Sequence, residues 1–210
     1  MTEHRDEDLN YITVEEDNTE KHRAIIMDSF GGEFYPLLTY PSFTTLEPED
    51  RVRIQNQIVN LITKGHDEKW LIQDNELEIS DKIGEGSCSV IHNCKWRGLD
   101  IVIKKTKMKK IALLTDLLKE IYMWSGLRHP NLVQFLGFNY DRKNDNFNIL
   151  MEKIDGVNLT QFIERKNMSR PSLNVKYNIC AQLISVFLFL HSCKPAVIYR
   201  DLKPENIMID

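Results

Sequence analysis

Hydrophobic and polar positions change their rhythm several times along the 210 residues. The first 23 show almost none: eight acidic side chains stand against three basic ones, with few apolar groups to bury. Such a stretch is expected to be a disordered acidic tail. From Ala24 to Thr44 the texture becomes "AIIMDSFGGEFYPLLTYPSFT", glycines and prolines mixed with aromatics, which reads as an extended, partly packed connector. A helical period follows in "TTLEPEDRVRIQNQIVNLITKG", where Ile54, Ile58, Leu61 and Ile62 fall on one stripe. Pro48 near the start, acids in the first turn and Gly65 at the end bound this helix. Its stripe is expected to dock on the domain that follows, so residues 24–70 form a connector plus amphipathic helix.

After Trp70 the period shortens to two. "ELEISDKIG" puts Leu77 and Ile79 on one face, "SVIHNCKW" alternates around Val90, and "LDIVIKK" is rich in β-branched residues. The turn "WRGLD" joins the last two as a hairpin. "LLTDLLKEIYMWSGL" then returns to helical spacing, with Leu114, Leu117, Leu118 and Ile121 on a shared face. Two more strands, "NLVQFLGF" and "NFNILMEK", flank the turn "DRKNDN". A short helix near Asn158–Lys166 and a long one over Leu173–Ser192 precede a terminal loop. The order is β-β-β-α-β-β, then α-α. This predicts an α+β fold: a five-stranded antiparallel small lobe with one helix (71–154), and the beginning of a helical large lobe (155–210).

Composition narrows the function classes. Hydrophobic residues at 42% and charged residues at 28% are ordinary for a globular protein with a real core. A net charge of −4 argues against nonspecific nucleic-acid binding. Cys88, Cys94, Cys180 and Cys193 have neither zinc-ligand spacing nor the density of a secreted disulfide framework, so a reduced, cytoplasmic protein is expected. Residues 1–23 are polar from the first, so no signal peptide is expected. The most apolar run, Ile179 to Leu190, is too short to span a bilayer, and no membrane association is expected.

The chemistry sits in three places. "IGEGSCSV" carries Gly84 and Gly86, which alone mark only a tight turn. A dinucleotide site would need a helix after the glycines and an acid about 20 positions on. Strand pattern follows instead, and Lys104 stands at that distance from Gly84. Strand–glycines–strand is a flap whose backbone N–H groups can cover phosphates. Lys104 in "IVIK", with Glu120 on the next helix, would be an ammonium fixed by a carboxylate. The neighbouring Lys105, Lys107, Lys109 and Lys110 read as solvated charges. Finally, "VIYRDLKPENIMID" brings Asp201, Lys203 and Asn206 within a proline-containing loop. A carboxylate, an ammonium and an amide at those offsets converge only on a fixed loop, and phosphoryl transfer demands such an aligned acceptor with positive charge around it.

Together "GEGSCSV", "IVIK", Glu120 in "LLKEI", "LRHPNLVQFLG", "MEKIDGVNL" and "LHSCKPAVIYRDLKPEN" resemble, in order and spacing, the signature segments of the protein kinase family. "WRGLDIVIKK" and the catalytic-loop segment are similar to the tyrosine-kinase-like group of serine/threonine kinases. The resemblance covers about Leu77 to Asp210 and implies a protein kinase-like fold. It also implies ATP and Mg2+ as cofactors and serine/threonine hydroxyls of a protein substrate as acceptors. Ile83, Gly84, Glu85 and Gly86 would form the flap over ATP, and Val90 would pack on the adenine. Lys104, held by Glu120, would contact the α- and β-phosphates. Met151 would back the adenine pocket, with the backbone of Glu152 to Ile154 as the hinge. Asp201 would orient the substrate hydroxyl and accept its proton, Lys203 would neutralise the γ-phosphate, and Asn206 would ligate magnesium.

Three positions depart from the family pattern. Ser89 replaces a third glycine, Val102 stands where alanine is usual beside the adenine, and Tyr199 replaces the histidine of the catalytic loop. The sequence also stops four residues after Asn206, with no Asp-Phe-Gly segment. The expectation is a truncated kinase that transfers phosphate poorly by itself. Alternatives are a kinase-like regulatory module, or an ATP-binding protein without catalysis. In the truncated case Phe187, Leu188, Phe189 and Leu190 would meet water. Helix 173–192 would then invite a covering partner such as a complete kinase.

Overall fold

The computed structural model describes residues 47–86, 89–106, 111–141, 146–165 and 171–210, with the side chains of 111–114 set aside. The expected acidic tail, the connector 24–44 and the centre of the "DRKNDN" turn lie outside the described residues. The chain divides into two units, 1–68 and 69–210.

In the first unit, helix α1 spans Pro48–Asp67. Pro48 occupies the first turn, where its missing N–H costs nothing, and Glu49 and Asp50 there complement the helix dipole. Ile54, Ile58, Leu61 and Ile62 are all buried, as their spacing requires. Gly65 does not end the helix. A glycine inside a helix costs only about 1 kcal/mol, and the turn continues until Lys69 takes a left-handed φ of 63°.

The second unit is built on a five-stranded antiparallel sheet of order β1-β2-β3-β5-β4. Its strands are β1 (Leu77–Glu85), β2 (Ser89–Trp96), β3 (Leu99–Thr106), β4 (Phe135–Asp141) and β5 (Asn146–Glu152). Arg97 and Gly98, with φ of 50° and 82°, make the two-residue turn between β2 and β3. Alternation along β3 sends Ile101 and Ile103 to one face, where they form a core with Ile72, Cys94 and Leu150. Val102 and Lys104 take the other face, which receives helix α2 (Ile111–Ser125). There Leu117, Leu118 and Ile121 are buried, as are Phe138, Phe147 and Ile149. Each fully buried phenylalanine contributes about 1.5–3 kcal/mol. Leu77 and Ile79 pair in unbroken register with Trp96 and Cys94 and so share a face, as expected, although Ile79 on this outer strand is 40% exposed.

Residues before β1 extend this sheet. Leu71 bridges Phe138 in parallel. Ile72 N–H donates to the Phe138 carbonyl at 2.9 Å, and Phe138 N–H donates to the Trp70 carbonyl at 2.8 Å. The approach leaves no room for a side chain at Gly137, whose Cβ would lie 2.4 Å from the Trp70 oxygen.

The remainder is helical. A two-residue ladder pairs β6 (Val157–Asn158) with β7 (Met208–Ile209), α3 spans Leu159–Glu164 and α4 spans Leu173–Ser192. Ser172 caps α4 by accepting from Val175 N–H. The expected patch of Phe187 to Leu190 is not what the helix presents. Consecutive residues point about 100° apart. Leu190 is therefore buried and Phe187 and Phe189 half-buried, while Leu188 is exposed. The outward stripe is instead Leu173, Tyr177, Ile184 and Leu188. At twenty residues α4 is, by length and composition alone, long and apolar enough to cross a membrane, which the twelve-residue run considered by itself is not.

Gly137→Ala is expected to cost about 1–3 kcal/mol by overpacking, read as a lowered urea midpoint. At Gly84 a Cβ would meet Ile91 only at an ordinary 3.7 Å, so Gly84→Ala should leave that midpoint within about 0.5 kcal/mol of the parent.

Candidate active site

The flap forms because β1 and β2 pair through Gly84 with Ile91 and Glu85 with Val90, and because Gly86 N–H donates to the Ser89 carbonyl at 2.8 Å. Ile83 and Glu85 are exposed, and Glu85 pairs with Lys82 three residues back along β1. Neither Gly84 nor Gly86 has the positive φ that would demand glycine, and a Cβ at either would meet nothing closer than 3.7 Å. The fold itself therefore does not require these two glycines. What their small size leaves open is the approach of another molecule to the flap backbone.

Lys104 lies near the end of β3, opposite Ile91 on β2 and Ile149 on β5. Its Nζ donates to Glu120 Oε1 on α2 at 2.8 Å. The two side chains are 27% and 43% exposed, so the pair is worth at most about 1 kcal/mol of stability. Its effect is geometric: a flexible four-carbon stem is held to one place by a carboxylate on a different element. Val102, on the same face as Lys104, pairs with Met151. Glu152 closes β5 and is held twice by Gln134, whose N–H donates to its Oε1 at 2.6 Å and whose carbonyl accepts its N–H at 3.1 Å. Ile154 follows and accepts from Gly156 N–H at 3.1 Å.

The loop 199–206 is tightly organised. Asp201 N–H donates to the Tyr199 carbonyl at 2.9 Å across Arg200, whose φ of 64° is left-handed. This three-residue turn is a rare and strained one that re-aims the chain. Pro204–Asn206 then form one turn of 3₁₀ helix. Asn206 Nδ2 donates to both Asp201 Oδ2 (2.8 Å) and the Asp201 carbonyl (2.9 Å). Lys203 Nζ lies 2.8 Å and 3.0 Å from the two oxygens of the same carboxylate. With its amide nitrogen engaged, Asn206 has its side-chain oxygen left to offer a hard cation. The Lys203 ammonium and then the Asn206 amide hold the Asp201 carboxyl below the usual range. The Asp201 carboxylate in turn raises Lys203. Burial, helped by the Asp201 charge, pushes the Tyr199 phenol up, so it stays neutral. Among the described residues no cluster of three His, Cys, Asp or Glu side chains could hold a metal unaided.

Thus the structure joins Lys104 to Glu120, sets Val102 beside Met151, and knots Asp201, Lys203 and Asn206 together. Sequence reasoning missed Gln134 and Gly156. Gln134 fixes the strand end that carries Glu152, and nothing in its local sequence announces this. Gly156 admits the terminal strand: its Cβ would lie 2.1 Å from the Ile209 carbonyl oxygen. The glycine after Asp155 was the available signal.

Comparison with known proteins agrees with this anatomy. Residues 77–210 match the family described as protein kinase domain. A protein of Acanthamoeba polyphaga mimivirus, named a serine/threonine-protein kinase/receptor, is 29% identical over 153 residues, which is 72% of this chain and 9% of that protein. A Dictyostelium discoideum protein, named a probable serine/threonine-protein kinase, is 32% identical over 154 residues, covering 70% of this chain and 28% of that protein. An Arabidopsis thaliana protein, named a probable L-type lectin-domain containing receptor kinase, is 30% identical over 133 residues, or 62% of this chain and 20% of its own length. The chain therefore spans under a third of the length of these relatives. With well over half of its residues in the match, the chain belongs to the protein kinase family. Helix α4 lies within the matched domain.

The Asp201 carboxylate should titrate below 3.8, its ordinary value, when followed by carbon NMR. Lys203→Ala should move the titration upward. Stability from this pairing is present above the ordinary carboxylate range and is lost as pH falls through the lowered value. An Asp201 titration unaltered by Lys203→Ala would contradict the pairing.

Proposed function

We propose that this chain carries the ATP-binding lobe and catalytic loop of a protein serine/threonine kinase of the tyrosine-kinase-like group. The observation that carries the reading is the Asp201 carboxylate, kept ionised between an ammonium and an amide on a loop within the kinase match. A carboxylate ionised at neutral pH and held in one orientation is suited to accept a hydrogen bond from a substrate hydroxyl and take its proton late in transfer. The ammonium two positions on, Lys203, follows the serine/threonine pattern and would swing from Asp201 to the γ-phosphate as charge develops there. Lys104, steadied by Glu120, would grip the α- and β-phosphates, and the open approach at Gly84 and Gly86 suits a phosphate chain lying under the flap. Val90 and Met151 would line the adenine, with the Glu152–Ile154 backbone, braced by Gln134, facing the base.

The donor set also fits magnesium. Mg2+ keeps waters and phosphate oxygens in its shell and takes few protein ligands, and the Asn206 side-chain oxygen is one such ligand. Bound there, the ion would neutralise phosphate charge.

Two measurements test the reading. In the whole protein with ATP and magnesium, Asp201→Asn should lower the phosphorylation rate of a serine- or threonine-containing protein by about 10²–10⁴-fold. An unchanged rate would sink the assignment. Residues 1–210 should show a thermal shift with Mg-ATP that Lys104→Ala abolishes and Lys105→Ala preserves. Equal loss in both variants would point to nonspecific phosphate attraction instead.

A further inference from the structure

The loop 199–206 is largely exposed, so its internal bonds alone give it little reason to keep one shape. Hydrogen bonds in water contribute little net free energy, while each ordered residue costs conformational entropy. Support comes from the stretch that follows Glu152–Ile154. There β6 pairs with β7, Val157 opposite Ile209 and Asn158 opposite Met208. Leu159 N–H, at the start of α3, donates to the Ile207 carbonyl at 2.8 Å. Thr160, the next residue, donates its hydroxyl to Glu205 Oε1 at 3.3 Å. A capping box fixes the first turn of α3 and with it the direction of that hydroxyl. In it Gln161 N–H donates to Asn158 Oδ1 at 2.8 Å, and Asn158 N–H donates to Gln161 Oε1 at 3.2 Å. Glu205 and Ile207 flank Asn206, the residue that reaches back to Asp201. Both neighbours of Asn206 are thus held from outside the loop.

We infer that the segment Gly156–Thr160 is a clamp on this loop, in which Gly156 and Thr160 are positioning residues for Asp201. Lengths decide it. The bonds from Asn206 to the Asp201 carboxylate and carbonyl, at 2.8 Å and 2.9 Å, tolerate only a few tenths of an ångström of displacement. A Cβ on Gly156 would stand 2.1 Å from the Ile209 carbonyl oxygen, 2.7 Å from its carbon and 3.1 Å from Asp210 Cα. Ordinary contact begins at 3.4 Å, so β7 would have to retreat by more than an ångström. The obstacle is backbone, which cannot rotate aside as a side chain would. Ile209 lies three residues beyond Asn206, and the 3₁₀ turn Pro204–Asn206 passes the shift on. Gly156 has no positive φ, so space and not backbone conformation is what demands glycine there. Thr160 acts on the other side of Asn206: without its hydroxyl Glu205 is released, and with it the middle of the turn. The effect on phosphoryl transfer rests on the functional reading above; the effect on Asp201 does not.

The experiment uses the whole protein with Gly156→Ala, Thr160→Val and Thr160→Ser, and reads two quantities. The first is the titration of the Asp201 carboxyl, followed by carbon NMR. The second is kcat for phosphorylation of a serine- or threonine-containing protein at saturating Mg-ATP. Gly156→Ala should bring the Asp201 titration up toward its ordinary value of 3.8 and lower kcat by about 10–10²-fold. Thr160→Val should move both in the same direction, with kcat lower by about fivefold, and Thr160→Ser should keep the parent behaviour. In an Asn206→Ala background neither Gly156→Ala nor Thr160→Val should raise the titration further, a coupling that general destabilisation would not produce. If Gly156→Ala fails to fold, Thr160→Val decides between the same results. Wild-type protein that transfers no phosphate, while its variants show the titration shift, keeps this inference and removes the phosphoryl-transfer reading. A folded Gly156→Ala variant whose Asp201 titrates as in the parent overturns the inference. So does an undiminished shift in the Asn206→Ala background.

Discussion

A single ammonium held by a carboxylate on another element is the constraint around which the small lobe is arranged. Lys104 sits on the central strand of five, and Glu120 on helix α2. Joining them requires three things at once. β3 must alternate so that Lys104 leaves the core side, α2 must bury Leu117, Leu118 and Ile121, and β4 and β5 must bring their phenylalanines beneath the helix. None of these is secured by the ion pair, which is too wet to stabilise much. The apolar packing places the charges, and under the proposed function the charges would serve a nucleotide rather than the fold.

The loop 199–206 follows the opposite logic. Little of it is buried, and its shape comes from polar bonds and backbone geometry. Arg200 bends the chain, Pro204 stiffens it, and Asn206 reaches back to Asp201 through both the side chain and the backbone carbonyl. A loop held in this way leaves its carboxylate open to solvent, which a carboxylate sealed in a core could not be.

Much of this was legible in the residues because the signals were local. Alternation in "LDIVIKK", the Arg97-Gly98 turn and the stripe of α2 each arise from a few adjacent side chains, and each element lies where its pattern placed it. The motif residues were legible for another reason: their chemistry is unusual at those spacings. What escaped was decided by contacts far apart in sequence. The parallel bridge of Leu71 to Phe138 joins residues 67 positions apart, and no local period announces it. The outward stripe of α4 was misjudged because a run of apolar letters is not a face; only the helical angle separates Leu190 from Leu188.

The pairing at Phe138 has a further consequence. Outer strands of open sheets offer unpaired N–H and C=O groups to any passing extended peptide, which invites self-association. Here a stranger arriving at β4 finds both groups of Phe138 already bonded, and would have to evict two buried side chains, Trp70 and Ile72, to take their place. The short stretch before β1 is thus also a guard on that rim.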